Sequence, residues 1–244
     1  MTTSTNYEQL EFQAIKKVRI EARFDQPQTT TDFGVMFLRE LESRSGIVSK
    51  LAACIRDSRH PAYVDHTIEE LLTQCVFQIC LGYEDADDCD HLRNDPAFLA
   101  ATAKHPGSDA ALGSQPTMTR LENSVTRKDL VRLGYALVDL FLDSYAKPPP
   151  AIVIDMDPSA VHCHGMQQLA LFNDYEDEYC LMPFHVYDGL TGKLITTVIR
   201  PGRTPTAGEI LTILKHIVSK IRSRFPKTVL IFRSSARPSI RLCA

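Results

Sequence analysis

Apolar residues recur at helical spacing along HTIEELLTQCVFQICLG. Ile68, Leu71, Leu72, Cys75, Val76, Ile79 and Cys80 fall at i, i+3, i+4, i+7, i+8, i+11 and i+12, which predicts a buried amphipathic helix. Thr67 and Glu70 have capping-box spacing at its start, and Gly82 stands where a glycine commonly ends a helix. Weaker periodicities predict further helices near 33–43, 47–57, 86–103, 117–124 and 127–146, so residues 33–147 read as an all-helical domain. Residues 1–32 are polar and aperiodic. They are expected to form a flexible N-terminus ending in Thr29-Thr30-Thr31-Asp32, a cap-like cluster before Phe33.

The pattern changes at Lys147-Pro148-Pro149-Pro150, because three prolines cannot continue a helix. AIVIDMD then reads as a short buried strand. YCLMPFHVYDG and GKLITTVIRPG read as two strands joined by a turn through Asp188-Gly189. In TAGEILTILKHIVSKIRSRF, Ala207, Ile210, Ile213, Leu214, Ile217, Val218 and Ile221 make one helical face that Pro226 stops, and TVLIF is a fourth strand. A strand, an antiparallel pair, a helical crossover and a return strand parallel to the first is the order in which an RNase H-like sheet begins. The expected architecture is therefore α+β or α/β: an all-helical domain, then an incomplete RNase H-like mixed sheet with a crossover helix over 151–235. From Ser234 the chain becomes a Ser/Arg-rich string without periodicity.

Composition narrows the class. The 244 residues are 44% hydrophobic and 23% charged, enough for real cores, and no run approaches the ~18 apolar residues of a membrane helix. Neither a basic leader nor an apolar one opens the sequence, so a cytoplasmic protein without membrane contact is expected. Seven cysteines scattered through apolar runs read as buried thiols rather than a disulfide framework. Net charge is −3, but from Arg203 onward the basic residues, among them Lys215, Lys220, Arg222 and Arg224, meet a single acid, Glu209. Such a basic face suits salt-sensitive phosphate contacts on DNA, and a solvated helix surface explains any one of these charges equally well.

The candidate chemistry sits at the end of the first strand. Alternation places Asp155 and Asp157 on the side of Val153, opposite Ile152 and Ile154, and either acid could be a metal ligand. Two-metal cleavage of a phosphodiester requires such carboxylates, since Mg²⁺ prefers hard oxygen ligands and paired ions lie ~4 Å apart. A strand-end cap is the plainer role for the same residues. Asp155-Met156-Asp157-Pro158-Ser159 also fits the Asp-x-Asp-x-Ser/Thr nucleophile of haloacid-dehalogenase-like phosphatases, with Phe232-Arg233-Ser234 as the later strand end. That alternative requires a downstream Lys and an acidic pair, which the eleven residues after Arg233 do not supply.

Three separated boxes point elsewhere. Leu81-Gly82-Tyr83-Glu84-Asp85-Ala86-Asp87-Asp88, His91-Leu92-Arg93-Asn94-Asp95-Pro96 and Leu112-Gly113-Ser114-Gln115-Pro116-Thr117-Met118-Thr119-Arg120-Leu121-Glu122-Asn123 resemble the paired signatures of one group of bacterial insertion-sequence transposases with a DDE-type catalytic domain. His164-Gly165-Met166-Gln167 and Arg200-Pro201-Gly202 are similar to further elements of that group. The resemblance spans roughly 33–233. It implies DNA cleavage at the element ends and strand transfer, with Mg²⁺, with the insertion-sequence ends as partner and with a transposase multimer. Members of the family it resembles typically follow the fourth strand with Arg-Gly-Asp or a close variant, whose Asp is the second metal ligand; here Arg233-Ser234-Ser235 stands in its place. A hydroxyl brings no charge to offset that of Mg²⁺. The chain is accordingly expected to be a truncated, inactive remnant, with 236–244 an unrelated, frameshifted tail. The alternative is a non-enzymatic DNA-binding product that inhibits a full-length relative by mixed assembly.

For DNA contact, Thr117, Thr119, Arg120 and Asn123 would project from a short helix suited to a groove, and His164 and Gln167 would add contacts near the acids. An ordinary capped surface helix accounts for the first four as well. The acids Glu84, Asp85, Asp87, Asp88 and Asp90 are those a helix dipole favours in a first turn. His162, Cys163, His164 and Cys180 match no zinc-finger spacing.

Overall fold

The computed structural model describes residues 10–15, 17–22, 30–107, 109–165 and 167–233. The chain divides into two compact units, 1–129 and 130–244.

The first unit opens with an antiparallel hairpin of β1 (Leu10–Ile15) and β2 (Val18–Ala22). Helices α1 (Val35–Ser45), α2 (Ile47–Ala52), α3 (Ile68–Cys80), α4 (Asp88–Leu92), α5 (Pro96–Ala101) and α6 (Gln115–Ser124) follow, with one turn of 3₁₀ helix over Pro61–Tyr63. The hairpin lies where flexible chain is expected. Its signal is an apolar/polar alternation too short to stand out, but Phe12 pairs with Ile20 across the strands and Ile15 is buried. Phe12 also meets Phe33 and Phe37 edge-on, at ring centroid distances of 5.3 and 6.0 Å. Residues 1–9 and 23–29 lie outside the described residues.

Two helix expectations change in detail. The stretch 86–103 is two helices, because Asp95 caps a new start by accepting from Ala97 N and Phe98 N, with Pro96 in its first turn. Helix α3 has the expected Thr67/Glu70 capping box, but its buried face is Leu71, Gln74, Phe77 and Gln78, while Ile79 is 54% exposed and Cys80 is exposed as well. The amides are affordable inside because they are satisfied. Gln74 Nε2 donates to Gly113 O at 3.0 Å, Gly113 N donates to Gln74 Oε1 at 2.9 Å, and Cys89 Sγ donates to Gln78 Oε1. Gln115 N donates to Asp90 Oδ1 and Leu112 N to Arg93 O. The second and third sequence boxes are thus tied to each other, and the third to α3. Replacing Gln74 by Leu is expected to cost about 3 kcal/mol, since two buried backbone groups of Gly113 lose their partners at ~1–3 kcal/mol each, and urea unfolding measures it.

In the second unit, α7 (Arg127–Asp143, from Leu130 onward) is followed by β3 (Ala151–Pro158), β4 (Val161–His162), β5 (Leu171–Asn173), β6 (Glu178–Leu181), β7 (Phe184–Asp188), β8 (Leu194–Val198), α8 (Ala207–Arg224) and β9 (Val229–Arg233). The division at 129/130 falls before the proline run, because α7 buries Val138, Phe141 and Leu142 with the sheet and α8 rather than with the other helices. The main sheet has the order β8-β7-β3-β9, with β3 antiparallel to β7, β7 antiparallel to β8, and β3 parallel to β9. Pro149 and Pro150 present carbonyls that accept from Thr228 Oγ1 and Val229 N, so the segment that breaks the helix also sets the start of the parallel pair.

One face of this sheet is core. Ile152, Ile154, Met156, Phe184, Val186 and Ile195 pack with α7 and with Leu214, Ile217 and Ile221 of α8. Helix α8 has its own capping box, Thr206 with Glu209. The expected single strand YCLMPFHVYDG is divided at Pro183, which offers no ladder N–H. Its first half is the middle strand of a small sheet, β4-β6-β5, and its second half is β7. No described helix is long and apolar enough to cross a membrane.

Candidate active site

Alternation along β3 buries Ile152, Ile154 and Met156 and turns Val153, Asp155 and Asp157 to the opposite face of the sheet. Strand β3 is central, so each acid has cross-strand neighbours. Asp155 lies opposite Tyr187 on β7 and Arg233 on β9, and Asp157 lies opposite His185. Arg233 Nε donates to Asp155 Oδ2 at 3.1 Å and its Nη2 contacts the same oxygen. This bond pushes the Arg233 guanidinium pKa upward, the neighbouring negative charge of Asp155 adding to it. The arginine is 63% exposed and the aspartate 29%, so solvent screens the pair and it yields readily to a stronger ligand of the carboxylate. His185 Nδ1 shares a hydrogen bond with Thr197 Oγ1 at 3.1 Å.

Two carboxylates on one strand face are the hard oxygen donors Mg²⁺ chemistry calls for, but they are too few for a site. Among the described residues, no group of three or more His, Cys, Asp and Glu side chains is placed to hold a metal ion. Ser235 lies outside the described residues, as does the tail 236–244.

The expected DNA-contacting side chains are scattered, and many are engaged. On α6, Thr117 Oγ1 bonds Ser114 and accepts from Arg120 Nη2, and Thr119 Oγ1 accepts from Gln115 Nε2, so both hydroxyls serve the helix itself. Arg120 and Asn123 are exposed, the amide of Asn123 donating to Thr119 O. On α8, Lys220 pairs with Asp139 at 3.0 Å, Arg224 with Asp143, and Arg222 Nη1 donates to Pro226 O and Thr228 O. Lys220 and Arg224 thus pair with acids one turn apart on α7, while Arg222 binds the turn between α8 and β9. Lys215 is exposed. His164 and Gln167 are exposed in the loop between β4 and β5.

Three polar residues around the sheet escape sequence reasoning. Asp188 is fully buried at the β7–β8 turn. Its carboxylate accepts from Thr191 Oγ1 (2.7 Å), Tyr145 Oη (2.9 Å), Val153 N (3.0 Å) and Leu190 N (3.2 Å). Burial pushes its pKa up, but these hydrogen bonds outweigh burial and hold it below the usual carboxylate range. Arg200, only 5% exposed, bonds Glu209 Oε2 at 2.8 Å and lies 5.0 Å above the Phe184 ring. Glu209 is held to about 2, first by Arg203 and then by Thr206 and Arg200. The only sequence hints were Asp188-Gly189 as a turn and Arg200-Pro201-Gly202 as a family element.

An antiparallel meander beside the acid-bearing strand, a parallel return strand and helices on the core face define an RNase H-like α+β domain. The parallel, doubly wound order expected of a haloacid-dehalogenase-like phosphatase is absent from this sheet. The family model for Transposase DDE domain group 1 matches residues 12–239, and the chain belongs to that family. Among solved structures it is similar to a piggyBac transposase in its synaptic complex with hairpin DNA, at 14% identity and a TM-score of 0.35. That match covers 86% of this chain and 51% of the other, so the chain spans about half the length of that transposase. No curated protein matches the chain.

Proposed function

We propose that this chain is a transposase-family protein directed at DNA ends, that Asp157 is its divalent-ion ligand, and that without a second acid it does not cleave DNA alone. The observation that carries this reading is the β3–β9 register. Arg233 faces Asp155, and the family's Arg-Gly-Asp acid comes two residues after the arginine, just as Asp157 comes two residues after Asp155. Asp155 then serves as the anchor for Arg233, and Asp157 is the carboxylate that a second acid would complement. Serine at position 235 leaves Mg²⁺ one charge short. Exposed Arg120, Asn123 and Lys215 remain available for phosphate contacts, which supports DNA binding by the chain or by a homo-oligomer or mixed assembly with another transposase of the family. DNA binding without catalysis is the state this reading predicts for the chain as it stands.

Mn²⁺ titration followed by electron paramagnetic resonance tests the assignment. Even outer partners of a metal site are worth ~10–100-fold in affinity, so Ser235→Asp is expected to tighten Mn²⁺ binding by at least about tenfold. Adding Asp157→Asn should abolish that gain, and adding Asp155→Asn should leave most of it. A gain that disappears with Asp155→Asn and survives Asp157→Asn overturns the assignment. Magnesium-dependent nicking of duplex DNA by the unaltered chain, lost in Asp157→Asn, overturns the inactivity.

A further inference from the structure

The small sheet inserted between β3 and β7 has two unlike faces. Cys180 and Asn173 on the inner face are buried. There the 200–202 segment is fastened to the sheet: Asn173 Nδ2 donates to Gly202 O at 2.8 Å, Gly202 N donates to Leu169 O, and Leu181 pairs with Pro201. The outer face carries Phe172 and Tyr179 directly opposite each other on β5 and β6, 48% and 59% exposed, with their rings edge-to-face at 5.5 Å. Val161 adds an apolar edge at 46% exposure, and Tyr175 stands at the β5–β6 turn at 91%. Within the second unit both rings remain about half exposed.

The charge around this face selects what could cover it. From Pro148 to Gly192 the sequence contains seven acids and neither Lys nor Arg. Asp174, Glu176 and Asp177 crowd the turn beside the rings, while Glu178 points the other way and is held by His162 at 2.6 Å. A DNA backbone would meet only like charge here. Arginine fits both parts of the surface, since its planar guanidinium stacks on aromatic rings and forks onto carboxylates, whereas a lysine ammonium is a strongly hydrated point charge.

We infer that the outer face of the β4-β6-β5 sheet is a protein-docking surface for an arginine-bearing segment of a partner protein, and that it is not a DNA-binding surface. The surface lies on an insertion of its own and does not depend on the metal chemistry at Asp157.

Fluorescence anisotropy on the full-length chain tests this, with a labelled peptide of three arginines spaced by glycine, its lysine counterpart, and a labelled 20-base-pair duplex. The arginine peptide is expected to bind about tenfold more tightly than the lysine peptide, because only arginine gains from two exposed rings. Phe172→Ser with Tyr179→Ser, which leaves the charge intact and removes only exposed rings, should erase that difference. Asp174→Asn with Asp177→Asn should weaken both peptides and leave duplex binding unchanged or improved. Circular dichroism of each variant establishes that it is folded, and a misfolded pair is replaced by Tyr175→Ser with Tyr179→Ser, which must give the same loss. Equal affinity for the two peptides, or duplex binding that falls when the rings are removed, overturns the inference.

Discussion

Replacing Asp188 by Ala is expected to destabilise the second unit by about 4 kcal/mol, the sum of leaving at least two buried donors unpaired at ~1–3 kcal/mol each and losing charge-assisted bonds. Its carboxylate is fully buried and receives four hydrogen bonds, one of them from Val153 N on the acid-bearing strand and one from the Tyr145 hydroxyl after α7. The residue therefore joins the end of α7, the β7–β8 turn and β3. Because its pKa is depressed in the folded chain, its contribution is fully present above the unfolded carboxyl value of ~3.9 and is lost as pH falls through the folded value. Asp188→Asn keeps one acceptor and the shape, so it should cost less at neutral pH and remove this part of the acid sensitivity. Urea unfolding at pH 7 and near pH 2.5, below the unfolded carboxyl value of ~3.9, measures both. A flat difference between the native chain and Asp188→Asn across that range would show that the carboxylate is not linked to stability.

Gly202→Ala is expected to be comparably damaging, for a steric rather than an electrostatic reason. A Cβ at this position would stand 2.0 Å from Cys180 O and 2.7 Å from Leu171 O. Both are backbone atoms of strands paired to each other, so neither can move away without breaking the Leu171↔Cys180 pair. Overpacking costs ~1–3 kcal/mol where side chains can yield and more where only backbone is available, so a loss of ~3 kcal/mol or detachment of the small sheet follows. Limited proteolysis within 161–181 should become at least several-fold faster. Gly192, with φ of +71° and nothing within 4 Å of an added Cβ, is the control: its alanine variant bears only the backbone strain of ~1 kcal/mol. Faster cleavage in both variants alike would attribute the effect to turn strain and not to the contact of Gly202 with the small sheet.

Much of the second unit was legible because its elements are short and their patterns are strict. Alternation in AIVIDMD gave the core face and the acid face of β3, and the helical stripe from Ala207 to Ile221 gave α8 with its buried Leu214, Ile217 and Ile221. The parallel pairing of β3 with β9 followed from chain order alone. In the first unit the same periodicity placed α3 and its buried Leu71, but the buried face also takes in Gln74, Phe77 and Gln78 while Ile79 and Cys80 are exposed. Hydrophobic spacing cannot see that Gln74 and Gln78 will find partners at Gly113 and at Cys89 of α4, 39 and 11 residues away. The acidic run 84–90 and the boxes around it resolved as caps and ties, with Asp88 and Asp90 in the first turn of α4.

The sequence by itself determined most of the helices, the order of the strands that makes an RNase H-like sheet, the face on which Asp155 and Asp157 stand, and the family boxes. Those properties come from local sterics, from 3.6- and 2-residue periods and from chain connectivity. Only the tertiary structure decided which charges are spent. It pairs Lys220, Arg222 and Arg224 within their own unit, sets Arg233 against Asp155, buries Asp188 among four donors and presses Gly202 against two carbonyls. Each depends on which distant residue arrives within about 3 Å, a distance fixed by packing across elements, and no one-dimensional pattern encodes it.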